Sequence, residues 1–122
     1  MGKKDERKFI EEVGLVHSVL MTKYPDAFFG YLNREHIRPL KLGIAQDILK
    51  DNPKLKYRAI SYFLHLYTNK NRYLIAICKG KYRIDLAGNE YGEISEAHRK
   101  HAKDVMLLRP KKQEEQHESI HS

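Results

Sequence analysis

The sequence has few of the features that stabilise secreted proteins or anchor membrane proteins. Its 122 residues contain one cysteine, Cys78, so no disulfide can form within the chain, which is compatible with a reducing cytoplasm. The longest apolar run, Tyr73 to Cys78, is far shorter than the roughly 20 residues needed to cross a bilayer. The N-terminal sequence MGKKDERKFIEEV lacks the apolar segment of a secretory signal, and Glu6 stands where a myristoylation signal has serine or threonine. We therefore expect a cytoplasmic protein with no membrane partner.

Sequence motifs of catalysis and metal binding are also missing. There are seven histidines but no H-E-x-x-H pattern, and His98 with His101 has no evident thiolate or carboxylate to complete a tetrahedral site. No G-x-S-x-G, P-loop or G-x-G-x-x-G motif occurs, and Cys78 is expected to be a small buried apolar residue rather than a nucleophile. We expect no metal, no cofactor and no enzymatic activity.

Acidic residues are scarce in the middle of the chain. The whole sequence has 23 Lys and Arg against 16 Asp and Glu, a net charge of +7 and an isoelectric point near 9.5. Between His36 and Arg83, 11 Lys and Arg stand against 2 acids, so this part carries +9 and the rest carries −2. A merely solvated surface usually mixes the two signs. This distribution favours a polyanionic partner or an acidic membrane surface, and charge alone does not choose between them.

The spacing of apolar residues predicts four main helices. Their expected ranges are 6–23, 39–50, 54–67 and 96–108. Pro39 would lie in the first turn of the second helix, and Asn52 with Pro53 gives the third its strong start signal. Ser95 would cap the fourth helix. Between the first two helices, the sequence PDAFFGYLNRE is expected to be a short aromatic link.

The third predicted helix has two faces. Its inner face is expected to contain Leu55, Ala59, Phe63 and Leu66. Steps of three and four residues give a polar stripe on the other side, Lys54, Arg58, Ser61 and His65. Such a stripe can present positive charge to a partner.

The remaining sequence predicts a short helical turn, a hairpin and a tail. Thr68 or Asn69 would cap the turn, which contains Arg72 and Tyr73. The alternation in KGKYRIDLAGN predicts a hairpin with Tyr82, Ile84 and Leu86 on one face and Arg83 on the other. We expect one domain over residues 1–108, with residues 109–122 as a polar, disordered tail. No uncommitted apolar stripe remains, which favours a monomer.

Cations and tyrosines alternate along the basic middle of the chain. Lys and Arg neutralise phosphates, and a tyrosine ring can stack on an unpaired base. Core packing is the favoured explanation for Tyr62, Tyr67 and Tyr82, whereas Tyr73, close to Arg72 and the hairpin cations, is favoured as a contact. We take as candidate RNA-binding residues Arg38, Lys41, Lys54, Lys56, Arg58, Thr68, Asn69, Lys70, Arg72, Tyr73, Lys81 and Arg83.

Three blocks in the same order give a resemblance to a known family. They are KYPDAFFGYLNREHIRPLKLGIAQDI, LHLYTNKNRYL and YRIDLAGNEYGEIS, and a helix rich in His and Lys follows. Over residues 24–105 the chain resembles the ProQ/FinO family of bacterial RNA chaperones. The resemblance implies a mainly helical domain with a small hairpin, which binds structured small RNAs and transcript 3′ ends, in particular a terminator hairpin with a U-rich tail. It also implies post-transcriptional regulation through RNA stability and RNA pairing.

The resemblance assigns particular residues to the RNA-binding concave face. Lys41, Tyr73 and Arg83 match positions that line this face in the family, and Arg38 and Arg72 lie beside them. In the third predicted helix the family often has basic residues where this chain has Tyr57, Ser61 and His65. Its contribution would then come from Lys54, Lys56 and Arg58.

In the segment HIRPLKLGIAQDI, apolar residues are placed to hold its cations in position. Leu40, Leu42 and Ile44 are expected to anchor the segment in the core and to hold Arg38 and Lys41 rigidly at the edge of a pocket. Preorganised cations lose less entropy on binding phosphate. A pairing of Arg38 with a nearby acid stays open as the alternative.

Two other functions remain open at this stage. A DNA-binding regulator could place the basic helix 54–67 in a major groove, although no helix-turn-helix spacing is evident. A protein-interaction or ribosome-associated factor could use the same basic face.

Overall fold

The computed structural model describes residues 2–32 and 37–110. Within these ranges the chain forms helices and one two-stranded antiparallel sheet. In chain order the elements are α1 (Lys3–Lys23), α2 (Pro25–Leu32), α3 (Ile44–Asp51), α4 (Tyr57–Thr68), α5 (Asn71–Lys79), β1 (Tyr82–Ile84), β2 (Glu90–Glu93) and α6 (Glu96–Leu108). The predicted fold class, mainly α with a small hairpin, is confirmed. None of the described helices is long and apolar enough to span a bilayer.

The core is built around aromatic side chains from α2, α4 and α5. Phe28 contacts Phe63 and Tyr67 with ring centroids 6.3 and 5.5 Å apart, and Tyr67 contacts Tyr73 at 5.8 Å. Burial raises the pKa of the Tyr67 hydroxyl well above its ordinary value. Cys78 is half-buried and packs against this core, partly as predicted. The packed rings give α4 and α5 fixed positions relative to one another.

The first predicted helix is confirmed, but the aromatic link after it was wrongly predicted. Helix α1 begins three residues earlier than expected, at Lys3, and ends at Lys23 as expected. The described part of the link, residues 25–32, forms helix α2 with Pro25 as its first residue, and the rest of the link lies outside the described residues. Proline is well tolerated in a first helical turn, because its missing N–H would have no partner there.

The second predicted helix begins later than Pro39. Pro39 to Lys41 is extended and pairs with β1, since Ile84 N–H donates to Pro39 O and Lys41 N–H to Ile84 O, both at 2.8 Å. Helix α3 begins only at Ile44, after Gly43 with φ 80°, a left-handed conformation that favours glycine. Leu42 is 61% exposed and does not anchor the segment, whereas Leu40 and Ile44 are buried.

Asn52 ends a helix rather than starting one. Its backbone N–H donates to Ile48 O and Leu49 O, and its side-chain Nδ2 donates to Ile48 O at 2.9 Å. The same amide also donates to the Tyr24 hydroxyl at 2.6 Å. Because these partners occupy Asn52 at the end of α3, the next helix, α4, begins five residues later, at Tyr57.

The buried face of α4 differs in part from the predicted inner face. The buried positions are Ala59, Ile60, Phe63 and Tyr67, and Leu66 is exposed instead of belonging to the inner face. Tyr67 is a core residue as predicted and Tyr82 is half-buried, but Tyr62 is exposed, with its ring against Phe9. The predicted outer stripe loses Lys54, which lies in the turn before the helix.

The predicted short turn is the nine-residue helix α5. Thr68 is the last residue of α4 and Asn69 closes that helix, with its side-chain Nδ2 donating to His65 O at 2.9 Å. Neither residue therefore caps α5, which is preceded by Lys70.

The hairpin and the last helix are confirmed. Strands β1 and β2 are antiparallel, and Asp85 accepts hydrogen bonds from the N–H groups of Ala87 and Asn89 in the loop between them. Ser95 Oγ accepts from His98 N–H at 3.1 Å and caps α6, whose bounds are those predicted.

The predicted tail begins with a residue that contacts the domain. Arg109 Nη2 donates to Asn69 O at 2.6 Å and Nη1 donates to the Asn71 side chain, so Arg109 ties the end of α6 to the junction of α4 and α5. The other predicted tail residues beyond Pro110 lie outside the described residues, and the expectations for them and for the domain boundaries stay predictions.

Candidate nucleic-acid interface

An open cavity of about 450 Å³ lies where the 40–46 segment, α4, α5, β1 and α6 meet. Much of its lining is apolar, from Leu40, Leu42, Ile44, Ala45, Leu64, Leu74, Ile77, Ala102 and Val105. Its polar lining comes from Lys41, Gln46, Thr68, Asn69, Tyr73, Arg83, His98 and His101. A mostly apolar cavity with a few convergent polar groups is typical of a ligand site. Five of the twelve candidate residues line this cavity, namely Lys41, Thr68, Asn69, Tyr73 and Arg83.

Arg83 is built into one wall of the cavity. It is 8% exposed, its Nη1 donates to Leu40 O at 2.9 Å, and its Nη2 lies 3.1 Å from His98 Nδ1. Because arginine has no acceptor, His98 Nδ1 accepts this hydrogen bond. The guanidinium thus connects β1 to the extended segment and to α6. Arg83 points to the opposite face of β1 from Tyr82 and Ile84, as the alternation along the strand predicts. Both faces of β1 are nevertheless covered by protein.

Tyr73 lines the cavity and is almost fully buried. Its hydroxyl accepts a hydrogen bond from Leu40 N–H at 2.9 Å. Burial raises the pKa of this hydroxyl, while the Leu40 N–H and Arg83 act in the opposite direction. Leu40 therefore has its N–H bound by Tyr73 and its carbonyl bound by Arg83, and this pair of contacts sets the position of the neighbouring Lys41.

Lys41 lies at the cavity wall with two further partners. Its Nζ is 2.8 Å from Asp47 Oδ2 and 4.3 Å from the centroid of the Tyr91 ring. The hydrogen bond to Asp47 raises the pKa of the lysine above its ordinary value. Lys41 thus lies at the cavity wall with its charge compensated by an acid, and its role in RNA binding stays a prediction.

The predicted cations near the start of α4 lie apart from this cavity. Lys54 and Lys56 line a second groove together with Lys8, Glu11, Glu12, Leu15 and Leu55. Arg58 Nε is 2.8 Å from Glu12 Oε1, and its guanidinium lies 5.3 Å from the Phe9 ring. Arg58 is also the only Lys or Arg within α4. The basic helix expected over residues 54–67 is therefore not observed, since α4 begins at Tyr57 and contains one Lys or Arg.

Four candidate cations are exposed on other parts of the described surface. They are Arg38, Lys70, Arg72 and Lys81. Arg38 Nη2 donates to the backbone carbonyl of Asp26 at 2.9 Å, so its observed partner is a carbonyl and not the acidic side chain considered as the alternative. Lys81 Nζ lies 5.3 Å from the Tyr82 ring. Lys70 and Arg72 flank the first residue of α5.

Several cavity residues were not among the candidates. His98 and His101 had been weighed only as metal ligands, and no group of three or more possible metal ligands occurs within the described residues. Their spacing with Ala102 and Val105 is the helical signal that places all four on one face of α6. Gln46 in the cavity and Tyr91 just outside it carried no comparable signal, because their positions depend on the turn at Gly43 and on the geometry of β2.

Comparison with known proteins places the fold and much of the sequence in one group. The sequence model of the ProQ/FINO family matches residues 11–119. A FinO-like RNA chaperone from Neisseria meningitidis has a similar structure, with a TM-score of 0.68 at 25% identity over 84% of this chain and 82% of that one. A ProQ homolog from Legionella pneumophila gives a TM-score of 0.60 at 25% identity over 89% of this chain and 86% of that one.

Curated relatives agree with these matches. The RNA chaperone ProQ of Aliivibrio fischeri is 44% identical over 72 residues, which cover 57% of this chain and 35% of the relative. The RNA chaperone ProQ of Idiomarina loihiensis is 31% identical over 94 residues, which cover 75% of this chain and 44% of the relative. The chain thus spans less than half the length of these relatives. Since the family model covers most of the sequence, the chain belongs to the ProQ/FinO family.

Proposed function

We propose that the protein binds RNA and acts as an RNA chaperone on structured small RNAs and transcript 3′ ends. Its preferred ligand would be a terminator hairpin with a U-rich 3′ tail, and binding would change RNA stability and RNA pairing. Membership of the ProQ/FinO family and the RNA chaperone names of the relatives support this proposal. They also agree with the expectation that the protein is not an enzyme.

The observation that carries the proposal is the composition of the cavity. Its apolar lining suits the face of an unpaired base, while Lys41 and Arg83 supply positive charge for the sugar-phosphate chain. The hydrogen bonds around Leu40 hold both cations in place before any ligand arrives. Preorganisation of this kind lowers the entropy lost on binding. We propose that the last nucleotides of the RNA occupy this cavity.

The neighbouring start of α5 is proposed to contact the hairpin stem. The first N–H groups of a helix and its dipole attract anions, and Lys70 and Arg72 add positive charge at that end. Arg109 lies at the same junction through its contacts with Asn69 and Asn71. A stem that lies across this end would leave its unpaired tail close to the cavity, which also includes Asn69.

The test compares three ends of one terminator hairpin. We expect a U-rich tail with free 2′- and 3′-hydroxyls to bind more tightly than a tail ending in a 3′-phosphate or a hairpin without a tail. The added phosphate would need room and would replace a hydroxyl that can hydrogen-bond. Equal affinity for all three RNAs would contradict the 3′-end site and leave only a general basic RNA-binding face.

Duplex DNA of equal length provides the comparison with the alternative function. We expect it to compete weakly, because α4 contains a single Lys or Arg and that residue is paired with Glu12. Sedimentation of the protein with and without RNA tests the expected monomer. Crosslinking to RNA in cells, with mapping of the bound ends, tests the expected cytoplasmic action on transcript 3′ ends.

A further inference from the structure

Tyr91 is a large aromatic residue close to the cavity to which the proposed function gives no role. Its side chain is 53% exposed on β2. Tyr91 does not line the cavity, but Lys41 does, and the Lys41 ammonium lies 4.3 Å from the Tyr91 ring centroid. Lys41 therefore separates the cavity from an exposed aromatic ring just outside it.

A distortion of β2 sets the direction of this ring. Tyr82 pairs with Glu93 and Ile84 pairs with Glu90, so β2 has one residue more than β1 between the two pairs. Gly92 lies in the extra stretch with φ 79°, the left-handed conformation that glycine adopts without strain. Such a bulge bends its strand and redirects a side chain. The bulge is therefore consistent with the position of the Tyr91 ring against the Lys41 ammonium.

The charges around Tyr91 indicate which part of a nucleic acid it would meet. Exposed Glu90 and Glu93 flank it on β2, and the Asp47 carboxylate lies on the other side of Lys41. Three carboxylates make this edge unfavourable for a phosphate. An uncharged planar group fits better, and bases stack readily on exposed aromatic rings.

We propose that Tyr91 stacks on an unpaired base of the RNA tail, at the nucleotide immediately outside the cavity. This inference rests on the proposed function and adds a second base-binding position to it. A tail that leaves the cavity passes Lys41 before it reaches Tyr91. The ammonium covers one face of the ring, and the large exposed fraction of Tyr91 provides the surface for the base.

The test combines changes in the protein with changes in the RNA. Tyr91→Leu and Tyr91→Phe are titrated with a terminator hairpin bearing a four-uridine tail and with hairpins in which one tail nucleotide is abasic, at each position in turn. We expect Tyr91→Leu to weaken binding of the full tail about five- to tenfold, and Tyr91→Phe to bind within about twofold of the unchanged protein, since stacking needs only the ring.

The decisive result is the coupling between the two changes. At one tail position, removing the base should weaken binding to the unchanged protein about as much as Tyr91→Leu does, and should cost the Tyr91→Leu variant little more. Tyr62→Leu is the matched control, since Tyr62 is also an exposed tyrosine but packs on Phe9 outside the cavity. We expect it to bind all the RNAs like the unchanged protein.

Two results would overturn the inference, and they differ in what else they exclude. If the unchanged protein prefers the tailed hairpin but Tyr91→Leu loses no affinity, or loses it equally for a hairpin without a tail, Tyr91 does not stack on the tail and the proposed function survives. If the unchanged protein does not prefer the tail, the 3′-end site and the Tyr91 inference fail together. Thermal unfolding of each variant reports whether its fold is intact.

Discussion

Two cationic regions of the molecule differ in what holds their charges. At the cavity, Arg83 is buried and donates hydrogen bonds to Leu40 O and His98. Lys41 directly follows Leu40, whose N–H and carbonyl are both hydrogen-bonded. In the groove beside α1, Lys54 and Lys56 are exposed in the turn before α4, and two acids, Glu11 and Glu12, line the same groove. The first region has cations held in fixed positions beside an apolar cavity. The second has solvent-exposed cations next to acidic side chains.

This difference means that the number of cations in a region does not by itself predict a binding site. Both regions contribute to the excess of cations between His36 and Arg83. The cavity combines its cations with a mostly apolar lining that suits a base, whereas the groove is lined mainly by charged side chains of both signs. We therefore expect specificity at the cavity and a weaker, salt-dependent contribution from the groove.

The largest effect is expected from Arg83→Ala. The change leaves Leu40 O and His98 without their donor, and an unsatisfied buried polar group costs about 1–3 kcal/mol of folding free energy. RNA affinity should fall about tenfold or more, because a buried charge-assisted contact is lost as well. Filter-binding titrations and thermal unfolding measure the two effects. Arg83→Lys is the control that keeps the charge, and full binding by Arg83→Ala would remove the distinction between the two regions.

A smaller effect is expected from Tyr73→Phe. The ring stays in the core and only the acceptor of Leu40 N–H is lost, at a cost of about 1 kcal/mol in stability. The preference for a free 3′ end should fall, since one of the two hydrogen bonds that position Leu40 beside Lys41 is lost, while salt-sensitive affinity for the stem remains. Tyr73→Ala is less informative, because emptying a nearly buried aromatic position costs about 3–5 kcal/mol. An unchanged preference in Tyr73→Phe would exclude the hydroxyl from end recognition.

Asp47→Asn should strengthen binding a few-fold. Its carboxylate competes with phosphate for the Lys41 ammonium, and removing that charge makes one more cation available. The slope of log K against log salt should become steeper by about 0.7–0.9. Asp104→Asn makes the same change of charge at an exposed position on α6 that does not line the cavity, and it is the control. Weaker binding with an unchanged slope would mean that Asp47 orients Lys41 instead of competing for it.

The smallest effect is expected from Lys54→Ala in the groove. One screened surface contact is worth about 1 kcal/mol or less, so affinity should fall no more than about fivefold. The loss should be the same for hairpins with and without a tail, and the fold should remain intact. A loss that depends on the 3′ end would place the groove in the same site as the cavity and contradict the contrast.

Local sequence signals were sufficient where a residue's partners are close to it in the chain. Ser95 caps α6 through an N–H three residues away, and the hairpin loop is closed by Asp85 and the neighbouring N–H groups. The amphipathic spacing of α1 was also sufficient to predict a helix there. The ordered motifs were enough to indicate the ProQ/FinO family and to select Lys41, Tyr73 and Arg83, which the fold brings to one cavity.

Other local signals misled because a distant partner decided the outcome. Asn52 has the composition of an N-cap, but its side chain binds Tyr24, 28 residues earlier, and the end of α3. Pro39 fits a first helical turn, but its carbonyl pairs with Ile84 of β1. In both cases a hydrogen bond across the fold satisfied a group that the local pattern had assigned to a helix end.

Composition, periodicity and the order of motifs were sufficient to predict the helical class, the hairpin, the basic middle of the chain and the family. Which cations share a site depended instead on contacts between distant parts of the fold. The tertiary structure separated Lys54, Lys56 and Arg58 from Lys41 and Arg83, gave Lys41 an acidic partner, and placed Tyr91 outside the cavity. The physical reason is that charges and rings interact through distances of a few ångströms in space, and these distances are set by core packing between residues far apart in the chain.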